Sequence, residues 1–151
     1  MKFIFLFLFI TFSFLFSFSQ DAHLIDSLET KLKSITAQKK ELGNKTSFAI
    51  DSLSATILYA LSRAYWSNNP DKSLDYANKC LEISEQVGYK RGIGKAYNSI
   101  GAINYIKGDY FKAIDFHTKS LKIREEIKDK AGIAESYSNI AIVNMQQGKY
   151  P

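Results

Sequence analysis

The sequence repeats itself with a period of 40 residues. Residues 71–93 share nine identities in 23 aligned positions with residues 111–133, and residues 92–110 share seven in 19 with residues 132–150. A period of this size is typical of stacked supersecondary units, each of which buries its apolar face against the next unit. The repeat therefore predicts an elongated fold built from neighbouring copies of one motif.

The apolar spacing within each unit predicts a pair of helices. Tyr97, Ile100 and Ile103 recur at helical intervals. Gly108 then predicts a helix end, and Asp109 is suited to cap the helix that follows. No stretch alternates apolar and polar residues as a strand does, so we predict an all-α fold of antiparallel helix pairs. The predicted helices span residues 22–42, 47–67, 71–88, 94–107, 110–128 and 131–148.

The first 19 residues differ in composition from the rest of the chain. They hold eight of the eleven phenylalanines, they follow a positive start at Lys2, and they end in the small residues Ser17 and Ser19 before Gln20. This pattern is typical of a secretory signal peptide cut before Gln20. The alternative is a retained membrane anchor, although the apolar run is shorter than the ~20 residues that usually span a bilayer. We expect an exported protein, periplasmic or otherwise extracytoplasmic.

The composition argues against most catalytic and metal-dependent functions. Cys80 is the one cysteine, and His117, one of two histidines, has apolar neighbours on its helix face. Both are interpreted as packing residues. The net charge is +5, but acidic residues interrupt the basic ones between 119 and 130, as on a solvated helix face. Gly92 and Gly132 are interpreted as turns between units. We predict no enzyme activity, no cofactor, no metal, no nucleic acid and no small-molecule substrate.

One unit carries a recognisable motif, which reads Tyr97-x2-Ile100-Gly101, then Gly108-Asp109-Tyr110, then Ala113. It resembles the tetratricopeptide repeat (TPR), whose first helix has a large-x2-apolar-small pattern and whose second helix has a small residue near its start. The unit departs from the family in its length, 40 residues rather than about 34. Long units of this kind are similar to exported repeats of bacterial sensor and regulatory proteins. The resemblance implies a right-handed TPR-like superhelix of helix pairs, an α-solenoid.

The predicted organisation has three parts. A signal peptide occupies residues 1–19, an N-terminal helix and loop occupy 20–46, and TPR-like repeats occupy 47–151. We divide the repeats into units 47–90, 91–130 and 131–151. The last unit is incomplete, so Tyr137, Ile140 and the residues from Ile142 to Met145 are expected to lack part of their cover.

The resemblance also implies a partner surface. In the family, the first helix of each pair lines a concave side that binds a protein or peptide. Aromatic and arginine side chains on such a surface are suited to anchor a partner. For Tyr59, Trp66 and Tyr105 the alternative is packing against the N-terminal helix or another copy. By unit position the resemblance places these residues on the concave side: Tyr59, Arg63, Trp66, Lys95, Asn98, Tyr105 and Ser138, beside Ala102, Ile142 and Met145.

The sequence thus predicts an exported TPR scaffold that mediates protein–protein interaction, as the N-terminal part of a larger bacterial sensor or regulatory protein. One alternative is a fragment of a sensor histidine kinase or similar signalling enzyme, with its catalytic domain outside this sequence. Another is a stand-alone binding adaptor. Membrane contact is expected only through a further C-terminal segment or an uncleaved signal.

Overall fold

Six α-helices make up the computed structural model, which describes residues 2–43 and 48–148, with side chains from residue 22 onward. No strand occurs within these residues, which confirms the all-α prediction there. The helices are α1 (Lys2–Leu42), α2 (Phe48–Tyr65), α3 (Pro70–Gln86), α4 (Lys90–Ile106), α5 (Tyr110–Glu126) and α6 (Lys130–Gln146).

The helices are arranged in two layers. Each helix packs against the next one in sequence, α2 also contacts α4, and α4 also contacts α6. Short turns join α2 through α6, so sequence neighbours run antiparallel. Over the part of the chain that is described, α3 and α5 do not meet. The helices α2, α4 and α6 therefore form an inner layer, and α3 and α5 form an outer one.

Polar caps and glycines set the helix boundaries. The side chains of Asn69, Asp109 and Asp129 each accept a hydrogen bond from a backbone N–H in the first turn of the helix they precede. These caps satisfy donors that a helix leaves free at its start. Gly108 has φ 79° and Gly148 has φ 68°, a conformation that glycine adopts without strain. The predicted roles of Gly108 and Asp109 are confirmed.

The interpretation of Gly92 and Gly132 as turns was wrong. Both lie in the first turn of a helix, Gly92 in α4 and Gly132 in α6, and both are buried. A Cβ atom on Gly92 would collide with Ser84 Oγ, and one on Gly132 would lie 2.8 Å from Arg124 Cδ. These glycines are needed for close helix packing, and the turns between units lie a few residues earlier.

The first helix is continuous from Lys2 to Leu42. It includes the segment 2–19 that the sequence assigns to an export signal, as well as the predicted helix 22–42. The predicted start of the second helix at residue 47 lies outside the described residues, as do residues 149–151. In the part of the chain whose side chains are described, no helix has the length and apolar character needed to cross a membrane.

The apolar core lies between α1 and α4. Ile35 of α1 packs with Ile57 and Leu61 of α2, while Ile100 and Ile103 of α4 pack with the outer layer. These side chains are at most 7% exposed. Burial of such side chains is the main favourable contribution to stability in a repeat fold of this size.

Helix α6 is covered on one side only. Tyr137 is 56% exposed, whereas its counterpart one unit earlier, Tyr97, packs against Phe116 of α5 with ring centroids 6.0 Å apart. Ile142 and Met145 are also exposed, by 48% and 57%.

Ile140 is half-buried, and Val143 is only 1% exposed. The expectation of missing cover therefore holds for Tyr137, Ile142 and Met145 but was wrong for Val143.

Candidate binding groove

A groove lies between the three helices of the inner layer. It holds a cavity of about 150 Å³. Its walls combine aromatic, polar and charged side chains, and all three inner helices contribute to them. The lining residues are Tyr59, Ser62, Arg63, Trp66, Ser73, Asn98, Ser99, Ala102, Ile103, Glu135 and Asn139.

The helical interval places the contribution of α2 on one face. Tyr59 and Arg63 lie four residues apart on one side of α2. Trp66 follows three residues later, in the turn just after the helix ends at Tyr65. Leu58 and Leu61 lie on the core side instead, and both are buried. Trp66 remains 49% exposed at the groove. A large aromatic side chain is thus available to solvent beside polar groups.

A hydrogen-bond network joins α4 to α6 along the groove. Asn98 donates from Nδ2 to Glu135 Oε1 over 3.1 Å, and it accepts from Asn139 Nδ2 over 2.9 Å. Glu135 Oε2 accepts a hydrogen bond from Arg124 Nη2 at 2.8 Å. Asn98 is only 7% exposed, so these bonds fix its side chain in a largely desolvated place.

Arg124 connects this network to the packing of α5 on α6. Its guanidinium is buried and also donates from Nη1 to the carbonyl oxygen of Gly132 at 2.7 Å and to Ser136 Oγ at 2.8 Å. Gly132 leaves room for it, because any side chain there would collide with Arg124. The equivalent position one unit earlier is Ser84, which packs over Gly92. Arg124 therefore extends the polar network of the last unit to the groove.

Two basic side chains flank Tyr59. Arg63 Nη1 donates to the Tyr59 hydroxyl at 3.3 Å, and Lys95 Nζ lies 4.9 Å from the centroid of the Tyr59 ring. The second contact is a cation–π interaction between α4 and α2. Within the described residues, neither cation has a carboxylate oxygen within 4.0 Å.

The structure brings together five of the seven residues that the sequence placed on the partner surface. Four line the cavity directly, and Lys95 joins them through its contact with Tyr59. The four lining residues are Tyr59, Arg63, Trp66 and Asn98.

The other two predicted residues lie elsewhere on the inner helices. Tyr105 is half-buried and packs against Tyr110 of α5, with ring centroids 5.8 Å apart. Ser138 is exposed, and its hydroxyl donates to the carbonyl oxygen of Ala134 at 2.9 Å. Neither belongs to the lining of the cavity.

The sequence reasoning missed Glu135 and Asn139, both of which line the groove. The repeat contained a signal for Glu135, because this residue lies one 40-residue period after Lys95, which the sequence placed on the partner surface. Asn139 lies one period after Ser99, another lining residue that was not selected. Applying the period to every chosen position would have found the first of these, but not the second.

A second polar cluster attaches the N-terminal helix. Glu29 Oε1 of α1 accepts hydrogen bonds from Tyr65 at 2.9 Å, from Lys72 at 2.9 Å and from Tyr76 at 3.0 Å. The bonds from Lys72 and Tyr65 hold the pKa of Glu29 below its usual value. Burial and the bond to Glu29 raise the pKa of Tyr76 to about 12. The cluster keeps the Glu29 carboxylate paired with the Lys72 ammonium, and its role is to attach α1 to the repeats.

The two side chains weighed as chemical candidates lie in the interior. Cys80 is fully buried, and burial raises the pKa of its thiol to about 11, so it is a poor nucleophile. His117 is 2% exposed and packs over Gly101. Burial, with a smaller effect from Arg124, lowers the pKa of His117 to about 4. Among the described residues, no group of three or more His, Cys, Asp or Glu side chains could hold a metal ion.

Comparison with known families agrees with this architecture. Residues 92–151 match the family model of the tetratricopeptide repeat, and the described part of that match contains α4, α5 and α6. No curated protein matches the chain. The α2–α3 pair has the same helix-turn-helix form as the matched α4–α5 pair. Repeats of this family generally act as scaffolds for protein–protein interaction. The comparison thus supports tetratricopeptide repeats in residues 92–151 of the chain.

Proposed function

We propose that the protein is an exported scaffold that binds a segment of another protein in the groove between α2, α4 and α6. The observation that carries this proposal is the lining of the groove, where Trp66 is 49% exposed beside a fixed hydrogen-bond network around Asn98. Tryptophan, tyrosine and arginine are the side chains that most often dominate binding energy at protein interfaces. The groove is lined by Tyr59 and Arg63 of α2 and by Trp66 of the turn that follows it.

The groove is also preorganised. Asn98 and Glu135 are held by each other and by neighbours on α5 and α6, so little ordering is needed when a partner arrives. Asn139 uses one N–H toward Asn98 and retains its carbonyl oxygen and a second N–H. These free groups are suited to pair with the backbone of an extended segment.

Selection of random dodecapeptides displayed on phage, with the purified protein as bait, tests the binding part of the proposal. Selected peptides should bind Trp66→Ala at least about tenfold more weakly than wild type, because the anchor is lost. Lys79→Met and Lys119→Met are matched controls on α3 and α5, where each lysine is paired with an aspartate four residues earlier. These controls should change affinity by less than about twofold. Peptides that bind Trp66→Ala as tightly as wild type would contradict the proposal.

Export and cellular role form the second part of the proposal. The positive start, apolar run and small residues before Gln20 support removal of residues 1–19 during export. N-terminal sequencing of the exported protein should give Gln20 first, whereas a full-length mass in the membrane fraction would mean a retained anchor.

The similarity of the long units to exported repeats of bacterial sensors supports a sensor or regulatory parent protein. Genomic sequence beyond the codon for Pro151 tests that role.

A further inference from the structure

We propose that the partner segment is acidic, with carboxylate side chains that bind between Arg63 and Lys95 and an adjacent apolar side chain that packs on Trp66. This inference rests on the proposed function, because it names the chemistry of the segment bound in the same groove. It follows from how the charges of the groove are already paired within the chain.

Arg63 has hydrogen-bond donors available for a ligand. A guanidinium carries five N–H donors, and Arg63 uses one of them in a long hydrogen bond of 3.3 Å to the Tyr59 hydroxyl. The side chain is exposed at the groove. A fork of parallel donors in this setting matches the two oxygens of a carboxylate.

Lys95 adds a second positive charge, over the ring of the same tyrosine. Its Nζ lies 4.9 Å from the Tyr59 ring centroid, and the residue is half-buried. In the described chain, no carboxylate lies within 4.0 Å of Lys95 or of Arg63. Glu135 acts on Arg63 only from beyond this distance, as the smallest of the effects that shift the pKa of Arg63. Two cations that share one aromatic neighbour, without a carboxylate in ion-pair contact, favour an anionic ligand.

The one carboxylate that lines the groove does not cancel this charge. Glu135 is bound on Oε2 by Arg124, whose side chain is 4% exposed, and on Oε1 by Asn98. Its charge is therefore balanced by an arginine that belongs to the fold. With Arg124 included, the four charged side chains of the groove sum to +2, as three cations and one carboxylate.

Trp66 supplies the apolar part of the recognition. It lies three residues after Arg63, in the turn that follows α2, and is 49% exposed. A ligand side chain beside the bound carboxylate would cover this surface, and burying it would contribute to affinity. The combination fits a segment in which aspartate or glutamate alternates with large apolar residues.

The same phage selection, analysed by composition, tests this inference. The displayed peptides are fused at their C-termini, so no free terminal carboxylate contributes. Among peptides that depend on Trp66, aspartate plus glutamate should be enriched at least about threefold over asparagine plus glutamine. The double variant Arg63→Met/Lys95→Met keeps the length of both stems and removes both charges. It should bind the acidic peptides about tenfold more weakly, since each exposed ion pair contributes modestly. The double variant Lys79→Met/Lys119→Met should retain wild-type binding.

The outcomes separate the two proposals. Peptides that depend on Trp66 but show no acidic enrichment, or show basic enrichment, would overturn the acidic partner and leave the groove function intact. Acidic enrichment that persists with Arg63→Met/Lys95→Met would also overturn it. If no selected peptide depends on Trp66, the groove function itself fails. An oligothymidylate that displaces the peptides at lower concentration than the peptides themselves would indicate a nucleic-acid surface and would overturn the proposal.

Discussion

The α2–α3 pair and the α4–α5 pair occupy equivalent positions in the repeat but fill the space between their helices differently. In the first pair, Ser62 faces Ser73 with hydroxyl oxygens 3.3 Å apart, and Ala77 is fully buried. In the second pair, Gly101 and His117 stand at the positions of Ser62 and Ala77. The imidazole of His117 occupies the space above Gly101.

The comparison teaches that one backbone repeat accepts different side-chain pairs when a large residue on one helix faces a small residue on the other. Cores generally tolerate such exchanges better than single changes of volume. The pair of Gly101 and His117 buries a polar atom without a hydrogen bond, which the pair of Ser62 and Ala77 does not. Among the described residues, His117 Nδ1 has no hydrogen-bond partner, and the ring is titratable. The α4–α5 pair should therefore respond to pH and to small changes of volume.

The largest expected effect is a loss of stability in acid. Burial lowers the pKa of His117 to about 4, against 6.5 in the unfolded chain. Between these values the unfolded state binds the proton and the folded state does not, so stability falls as pH decreases from about 6.5 to about 4. The loss should approach about 3 kcal/mol, measured by urea denaturation at several pH values.

His117→Ala provides the control for this prediction, since alanine is the residue at the equivalent position 77. The other charged groups that affect His117 are Arg124, which opposes protonation, and Glu135, which favours it. Both remain in the variant. Its stability should be nearly independent of pH between about 5 and 6.5. An unchanged pH dependence in His117→Ala would assign the effect to other groups.

The next effect concerns the contact between Gly101 and His117. A Cβ atom at Gly101 would lie 2.8 Å from His117 Cε1, so Gly101→Ala should destabilise the protein by about 1–2 kcal/mol despite the better helix propensity of alanine. In the His117→Ala background the same change should stabilise by about 1 kcal/mol. Gly94→Ala is the matched control on the same helix, because its Cβ would meet Arg124 and Ile123 at an ordinary 3.5 Å. Thermal denaturation of the four combinations of Gly101 and His117 variants measures the coupling, and additive effects would contradict it.

The smallest effect compares the two turns between units. Gly88 has φ 67°, and its counterpart one period later is Lys128, with φ 57°. In both turns a backbone N–H donates to a carbonyl oxygen near the end of the preceding helix. The N–H of Tyr89 lies 2.7 Å from the carbonyl oxygen of Ser84, and the N–H of Asp129 lies 2.9 Å from that of Arg124. A lysine in this conformation is strained, so Lys128→Gly should stabilise by about 1 kcal/mol.

The reverse change at the earlier turn completes this comparison. Gly88→Lys should destabilise by a similar amount, about 1 kcal/mol, for the same reason. Chemical denaturation of both variants checks the pair. If both substitutions change the free energy of unfolding by small, equal amounts of the same sign, the backbone conformation at these turns carries no strain.

The helices and most of their ends could be predicted because local chemistry determines them, although α4 begins at Lys90 and not at the predicted residue 94. Gly108 and Asp109 act within a few residues of their own position, and the apolar spacing of α4 depends on one helix face. The roles of Gly92 and Gly132 could not be predicted, because each depends on a side chain of the preceding helix that packs over it. A repeated glycine fits a turn and a close helix contact equally well when only the sequence is known.

The groove was predictable to the extent that it follows the repeat. Tyr59 and Arg63 share one face of α2, Trp66 follows in the next turn, and the family resemblance placed all three on the concave side. The pairing of charges was not predictable. It depends on Arg124 of the outer layer reaching Glu135 of the inner layer, and on Lys95 contacting Tyr59 across two helices. No local pattern in the sequence records these contacts.

The central claim, that a partner binds in the inner groove, is most directly tested by the fluorescence of Trp66. It is the one tryptophan of the chain and is 49% exposed at the groove. Addition of a selected peptide without tryptophan should shift its emission to shorter wavelength and reduce its quenching by acrylamide at least about twofold, because the indole becomes covered. A labelled copy of the peptide that binds by anisotropy, while the emission and quenching of Trp66 stay unchanged, would contradict the claim.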